Sequence, residues 1–145
     1  MKRRDVLKAG SSVLLGAVAP RASSAGLQAA PTSQRKILGE HLLGPAFAGW
    51  QGTIFETTYP PGAESAAHQH PGPTFGYVIS GRIKWAINGT AARVLEPGMA
   101  FFEPMGSVHS TAANASATEP ARLAIVILGK PGEPLSTPAP KTPQP

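Results

Sequence analysis

Residues 62–81 read GAESAAHQHPGPTFGYVISG. Two histidines, His68 and His70, stand one residue apart in a frame of glycines and prolines, and a run rich in aromatic and β-branched residues follows. In an extended chain, residues i and i+2 project to the same side. An H-x-H pair in such a segment can therefore send both imidazoles into one cavity. The pair is equally compatible with a polar turn, so its surroundings decide the reading. If the alternation continues, Thr74, Gly76 and Val78 share the face of the histidines. Phe75 and Tyr77 then point away, toward a core between sheets or toward a second subunit.

Outward from this stretch, short strand patterns alternate with turn signals. The strands are expected at 37–43, 53–59, 74–79, 83–87, 93–95, 99–103, 108–112 and 122–128. They are separated by Pro60-Pro61-Gly62, Pro71-Gly72-Pro73, Ser80-Gly81, Asn88-Gly89, Pro97-Gly98 and Pro104-Met105-Gly106. Ile83, Trp85 and Ile87 alternate with Lys84 and Ala86, the period of a half-buried strand, and Asn88-Gly89 suits a tight hairpin turn. No segment has a convincing helical period. The pattern predicts an all-β sandwich or small barrel, with Trp85, Phe101 and Phe102 in its core. Gly62, Gly81, Gly98 and Gly106 are expected at turns that require positive φ.

A second block completes the first. Gly98 is followed by five residues, then Pro104-Met105-Gly106-Ser107-Val108-His109. Together, Gly62, His68, His70, Gly81, Gly98, Pro104, Gly106 and His109 resemble, in order and spacing, the two sequence motifs of the cupin family. The resemblance spans nearly all of 36–130 and extends to small single-domain members described as quercetin-dioxygenase-like. It implies a cupin β-barrel of the double-stranded β-helix or jelly-roll type. It also implies a divalent metal inside, held by His68, His70 and His109: Fe(II) or Mn(II) foremost, with Zn, Ni or Cu as alternatives.

Two positions depart from the family pattern. Its glutamate, a usual fourth ligand, falls on Thr74. Its terminal asparagine falls on Ala113, with Asn114 one residue late. A threonine hydroxyl is a poor ligand, and Thr74 is instead assigned a catalytic part, holding a metal-bound water or the substrate. The site expected is three neutral imidazoles with no compensating carboxylate, which favours a chelating or anionic substrate bound directly on the metal. Glu64 is read as a solvated loop residue and His41 as a surface residue. Glu103, beside Pro104 where alternation breaks, is read as lying outside the cavity.

The chain ends have different characters. Residues 1–25 carry a basic head (Lys2, Arg3, Arg4), a short apolar run and small residues up to Ala25, the layout of an export signal. Arg3-Arg4 resembles the twin-arginine type. Cleavage is expected after Ala25, which makes the protein periplasmic or otherwise exported. Residues 26–35 read as a linker, and the proline-rich 131–145 as an extended, mobile tail. The formal charge of +5 suggests nucleic acid or an anionic membrane. Most of it belongs to the leader, however, and a mature chain from Gly26 is nearly neutral. Neither nucleic acid nor a stable membrane span is therefore expected. There is no cysteine, which excludes disulfides and thiol chemistry. The family resemblance implies a homodimer. The functional expectation is a metal-dependent, dioxygenase-like enzyme acting on a small chelating molecule. A non-catalytic binding cupin and a metal-free structural barrel are the alternatives.

Overall fold

The computed structural model describes residues 30–141. The expected export segment, residues 1–25, lies outside the described residues.

The described residues form eleven strands: β1 (Gln34–Leu42), β2 (Gln51–Tyr59), β3 (Glu64–Ser65), β4 (His68–Gln69), β5 (Thr74–Ser80), β6 (Ile83–Ile87), β7 (Arg93–Leu95), β8 (Ala100–Glu103), β9 (Val108–Asn114), β10 (Ala121–Gly129) and β11 (Thr137–Pro138). A short 3₁₀ turn at Pro45–Phe47 is the sole helical element among the described residues. One sheet has the order β1-β2-β10-β5-β8; the other runs β11-β4-β9-β6-β7, with β3 also on β9. Every pairing is antiparallel. The two sheets close a jelly-roll sandwich. All eight strands expected from sequence are present to within a few residues.

Period-2 alternation fixes which side chains enter the space between the sheets. On β5, Thr74, Gly76 and Val78 are buried, while Phe75, Tyr77 and Ile79 are exposed. Phe55, Val78, Ile83, Leu95 and Ile127 are almost fully buried. Each such side chain contributes roughly 1.5–3 kcal/mol by leaving water. Gly76 has a specific reason to lack a side chain, because a Cβ there would lie 1.9 Å from the Phe101 ring. Phe101 fills that space and is buried with Trp85, as expected. Phe102 is not in the core. It is exposed on the outer face and stacks on Phe75 with centroids 4.9 Å apart. Adjacent residues on β8 point oppositely, so only one of the two phenylalanines can face in. Ile54, Val126, Phe75 and Phe102 lie in register across four strands and form an apolar row on that outer face.

Asn88 (φ 53) and Gly89 (φ 70) make the tight turn after β6, the paired positive angles that Asn-Gly accommodates. Asn88 Oδ1 accepts from the Val108 amide at 2.9 Å, which ties this turn to β9.

The late asparagine is explained by β9. Ala86 pairs with Thr111 and Ile87 with His109, so Ser110 is an extra residue, a β-bulge. The bulge reverses the in–out phase, and both His109 and Asn114 face inward. Asn114 Nδ2 lies 2.8–3.0 Å from the carbonyl oxygens of Tyr59, Pro60 and Glu119. Its Oδ1 accepts from the Ser116 amide. Asn114→Ala strands these buried carbonyls, and a cost of roughly 2–3 kcal/mol is expected. Chemical denaturation measures it; a change below about 0.5 kcal/mol would show that the network contributes little.

The segment 131–141 is not the free tail that its composition suggests. β11 pairs with β4, Thr137 opposite Gln69 and Pro138 opposite His68. The Ala139 amide donates to the Ala67 carbonyl at 3.1 Å. Proline cannot donate a ladder hydrogen bond, and β11 occupies a sheet edge, where none is required. Residues 142–145 lie outside the described residues. The linker is likewise shorter than expected, since β1 starts at Gln34.

Candidate metal centre

His68 lies on β4 directly opposite His109 on β9, and His70 follows β4. Their ring centroids are 4.9 Å (His68–His70), 5.0 Å (His68–His109) and 6.3 Å (His70–His109) apart. Each offers one nitrogen such that all three lie within 4.8 Å of one another. The three expected ligands are thus brought together at the wall of one cavity of about 380 Å³.

Each Nδ1 faces an oxygen. His68 Nδ1 is 2.8 Å from the Ala66 carbonyl and His70 Nδ1 is 2.7 Å from the Leu135 carbonyl. His109 Nδ1 is 3.1 Å from Glu103 Oε1. A ring that keeps its hydrogen on Nδ1 carries a lone pair on Nε2. For His68 and His70 these hydrogen bonds select the tautomer in which Nε2 is available to a metal. Among the described residues, His109 Nε2 and Glu103 Oε2 are buried side-chain atoms without a hydrogen-bond partner. Buried polar atoms are rarely left so, and a cation held by the three histidines would give His109 Nε2 a partner. The residues present therefore fit a divalent metal.

Thr74 is 1% exposed and lines the cavity, as expected. Its Oγ1 donates to the Gly72 carbonyl at 3.2 Å, leaving its lone pairs free to accept. Glu64 is exposed on β3 and His41 on β1, both apart from the cavity. Glu103 corrects the sequence reading. It is 2% exposed and faces inward on β8, directly opposite Thr74. Trp85 Nε1 donates to its Oε1 at 3.1 Å, and its Oε2 is 3.6 Å from His70 Nε2. The missing clue was pairing. The motif gives Thr74 an inward face, but only the β5–β8 register shows that Glu103 shares it.

Three further cavity features have no sequence signal. Arg35, in the supposed linker, projects from β1 with its guanidinium 4.7 Å from the Phe55 ring centroid. No carboxylate pairs with it among the described residues. Tyr59 reaches in from β2, its hydroxyl 3.1 Å from Ser65 Oγ. Ser136, Thr137 and Pro138 close one side of the cavity. The remaining wall is largely apolar, including Ile83, Phe101, Leu123 and Ile125.

Burial dominates the titration of the site. It lowers His109 from 6.5 to about 3 and His70 to about 4. It raises Glu103 from 4.5 to about 7, offset in part by the Trp85 hydrogen bond. Both imidazoles are thus neutral, as ligation requires. The consequence for the metal-free protein is directional. Below about pH 6.5 the unfolded chain takes up protons that buried His70 and His109 refuse, so stability falls with pH until about pH 3–4. Glu103 opposes this between pH 4.5 and 7, where the folded state holds the extra proton. Two histidines against one carboxyl leave a net loss on acidification. Denaturation midpoints of stripped protein across pH 4–7 measure it; a midpoint that rises as pH falls would contradict these assignments.

A family model described as the cupin domain matches residues 55–128, just over half of the chain. The chain belongs to the cupin family. Among solved structures, it is similar to an uncharacterised protein with a double-stranded β-helix domain from Klebsiella pneumoniae. There the identity is 24% over 76% of this chain and 86% of that one, with a TM-score of 0.58. KdgF from Halomonas sp. shares 28% identity over 68% of this chain and 78% of that one, with a TM-score of 0.52. The DMSP lyase DddQ from Ruegeria pomeroyi shares 23% over 65% of this chain and 45% of that one, with a TM-score of 0.51. No curated protein matches the sequence significantly.

Proposed function

We propose that this chain is an exported, metal-dependent cupin enzyme of the dioxygenase-like kind, acting on a small chelating acid. The observation that carries the proposal is the convergence of His68, His70 and His109, each with Nδ1 facing an oxygen, at one wall of a mostly apolar cavity. Fe(II) or Mn(II) held there would supply a Lewis acid with open positions for a chelating substrate and dioxygen.

The protein's own groups define the substrate. Arg35, which lines the cavity from β1 and is free of a carboxylate partner among the described residues, offers a guanidinium to an anionic group. Thr74 Oγ accepts a hydrogen bond from a hydroxyl or water above the histidines. The apolar wall packs a small carbon skeleton and excludes water. The cavity volume suits a small acid. Export after folding would let the cytoplasm select the metal, since three imidazoles alone prefer copper or zinc by intrinsic affinity. A homodimer would cover the outer row of Ile54, Val126, Phe75 and Phe102. Sedimentation of a Phe102→Lys variant tests this: a monomer is expected, and an unchanged dimer would place the interface elsewhere.

The enzyme reading is tested by oxygen uptake with iron-loaded protein and a panel of α-hydroxy and α-keto acids. Uptake is expected with at least one acid, together with a raised KM in Arg35→Ala. Saturable binding of an acid without uptake would make the protein a binding cupin instead.

A further inference from the structure

We propose that Glu103 supplies the carboxylate of this metal centre, from the strand beside the one on which the sequence motif places it. The proposal rests on the reading that the three histidines hold a metal. Thr74 stands at the motif's glutamate position, and Thr74 and Glu103 are direct partners across β5 and β8. Facing side chains on an antiparallel pair stand about 4.5–5.5 Å apart at Cβ. A carboxylate moved from one position to the other therefore reaches the same region of the cavity. Both residues are buried on the inward face, and Glu103 is the sole acidic residue lining the cavity among the described residues.

The two carboxylate oxygens have different surroundings. Oε1 accepts from Trp85 Nε1 at 3.1 Å, which anchors the carboxylate beside the His109 ring, whose Nδ1 lies 3.1 Å away. Oε2 is buried without a partner. It lies 3.6 Å from His70 Nε2. That spacing is too long for a hydrogen bond, but it is on the scale of two ligand atoms sharing one ion with bonds of about 2.0–2.2 Å. Oε2 is the fourth ligand oxygen. The centre is then three imidazoles and one carboxylate, and the expected absence of a compensating negative charge is reversed. Thr74 is small because the carboxylate beside it occupies the shared space.

The test is a cobalt(II) titration of metal-stripped full-length protein, read by calorimetry and visible absorption. Three proteins are compared: the wild type, Glu103→Gln, and the double exchange Thr74→Glu/Glu103→Thr. Glutamine retains an oxygen to accept from Trp85 but lacks the anionic ligand. Glu103→Gln is expected to weaken cobalt binding by at least about 10–100-fold and to shift the visible bands. The double exchange, with the carboxylate back at the motif position, should recover affinity to within about tenfold of wild type. Wild-type affinity and spectrum in Glu103→Gln would overturn the proposal and leave the three-histidine site standing. A wild-type protein that binds no cobalt would overturn both. The infrared difference spectrum of wild-type protein, loaded minus stripped, needs no variant to fold. A shift of a carboxylate stretching band is expected, and its absence would overturn direct ligation by Glu103.

Discussion

His109→Ala protein is expected to lose metal binding altogether while keeping its β-sheet circular dichroism. His109 is the one ligand anchored within a long strand, and it faces His68 directly across β4 and β9. It is buried, and its Nε2 has no hydrogen-bond partner among the described residues. Removing it leaves two imidazoles on a segment that includes only a two-residue strand. Loss of an outer partner of a ligand costs about 10–100-fold in affinity, and loss of the ligand itself costs more. The matched control is His41→Ala, which alters an exposed histidine on β1 outside the cavity. Calorimetric titration distinguishes the two: no measurable binding in His109→Ala and wild-type binding in His41→Ala. Equal affinity in both variants would remove His109 from the site.

The second large effect is expected from the C-terminal segment. Deleting residues 135–145 removes the Leu135 carbonyl that holds His70 Nδ1 at 2.7 Å. It also removes the β11 pairing opposite His68 and Gln69, and one side of the cavity. His70 becomes free to rotate, and the cavity opens to solvent. A drop of about 10–100-fold in metal affinity is expected, the scale of an outer-partner loss, together with faster metal release to a chelator. Leu135→Ala separates backbone from side chain: it preserves the carbonyl and should bind metal like wild type. Unchanged release kinetics after the deletion would show that β11 merely decorates the barrel.

Those two expectations differ in how visible they were beforehand. His68 and His70 were legible because i, i+2 spacing in extended chain converts directly into side-chain direction, and His109 because it stands at its position in the second cupin motif. The strands were legible for the same reason, with Gly and Pro marking their ends. The role of 135–138 was hidden because a proline-rich composition reports local propensity alone, whereas β11 exists only through its tertiary partner β4. Glu103 was hidden by a similar gap. Its inward face depends on the phase of β8, which adjacent Phe101 and Phe102 leave ambiguous, and on a register with Thr74 that no local pattern encodes. The displaced Asn114 did contain a clue. One extra residue between an inward histidine and an inward asparagine requires a bulge, and Ser110 is that bulge. Arg35 offered no clue, because a lone arginine in a polar stretch reads as solvated surface.

The central claim is a metal held by His68, His70 and His109, and metal content tests it most directly. Mass spectrometry on purified full-length protein, beside a His68→Ala/His70→Ala variant, is the measurement. About one equivalent of iron or manganese per chain in the wild type, absent from the variant, is the predicted result. Metal-free wild-type protein that also takes up none on reconstitution would contradict it and leave a barrel that works without a metal.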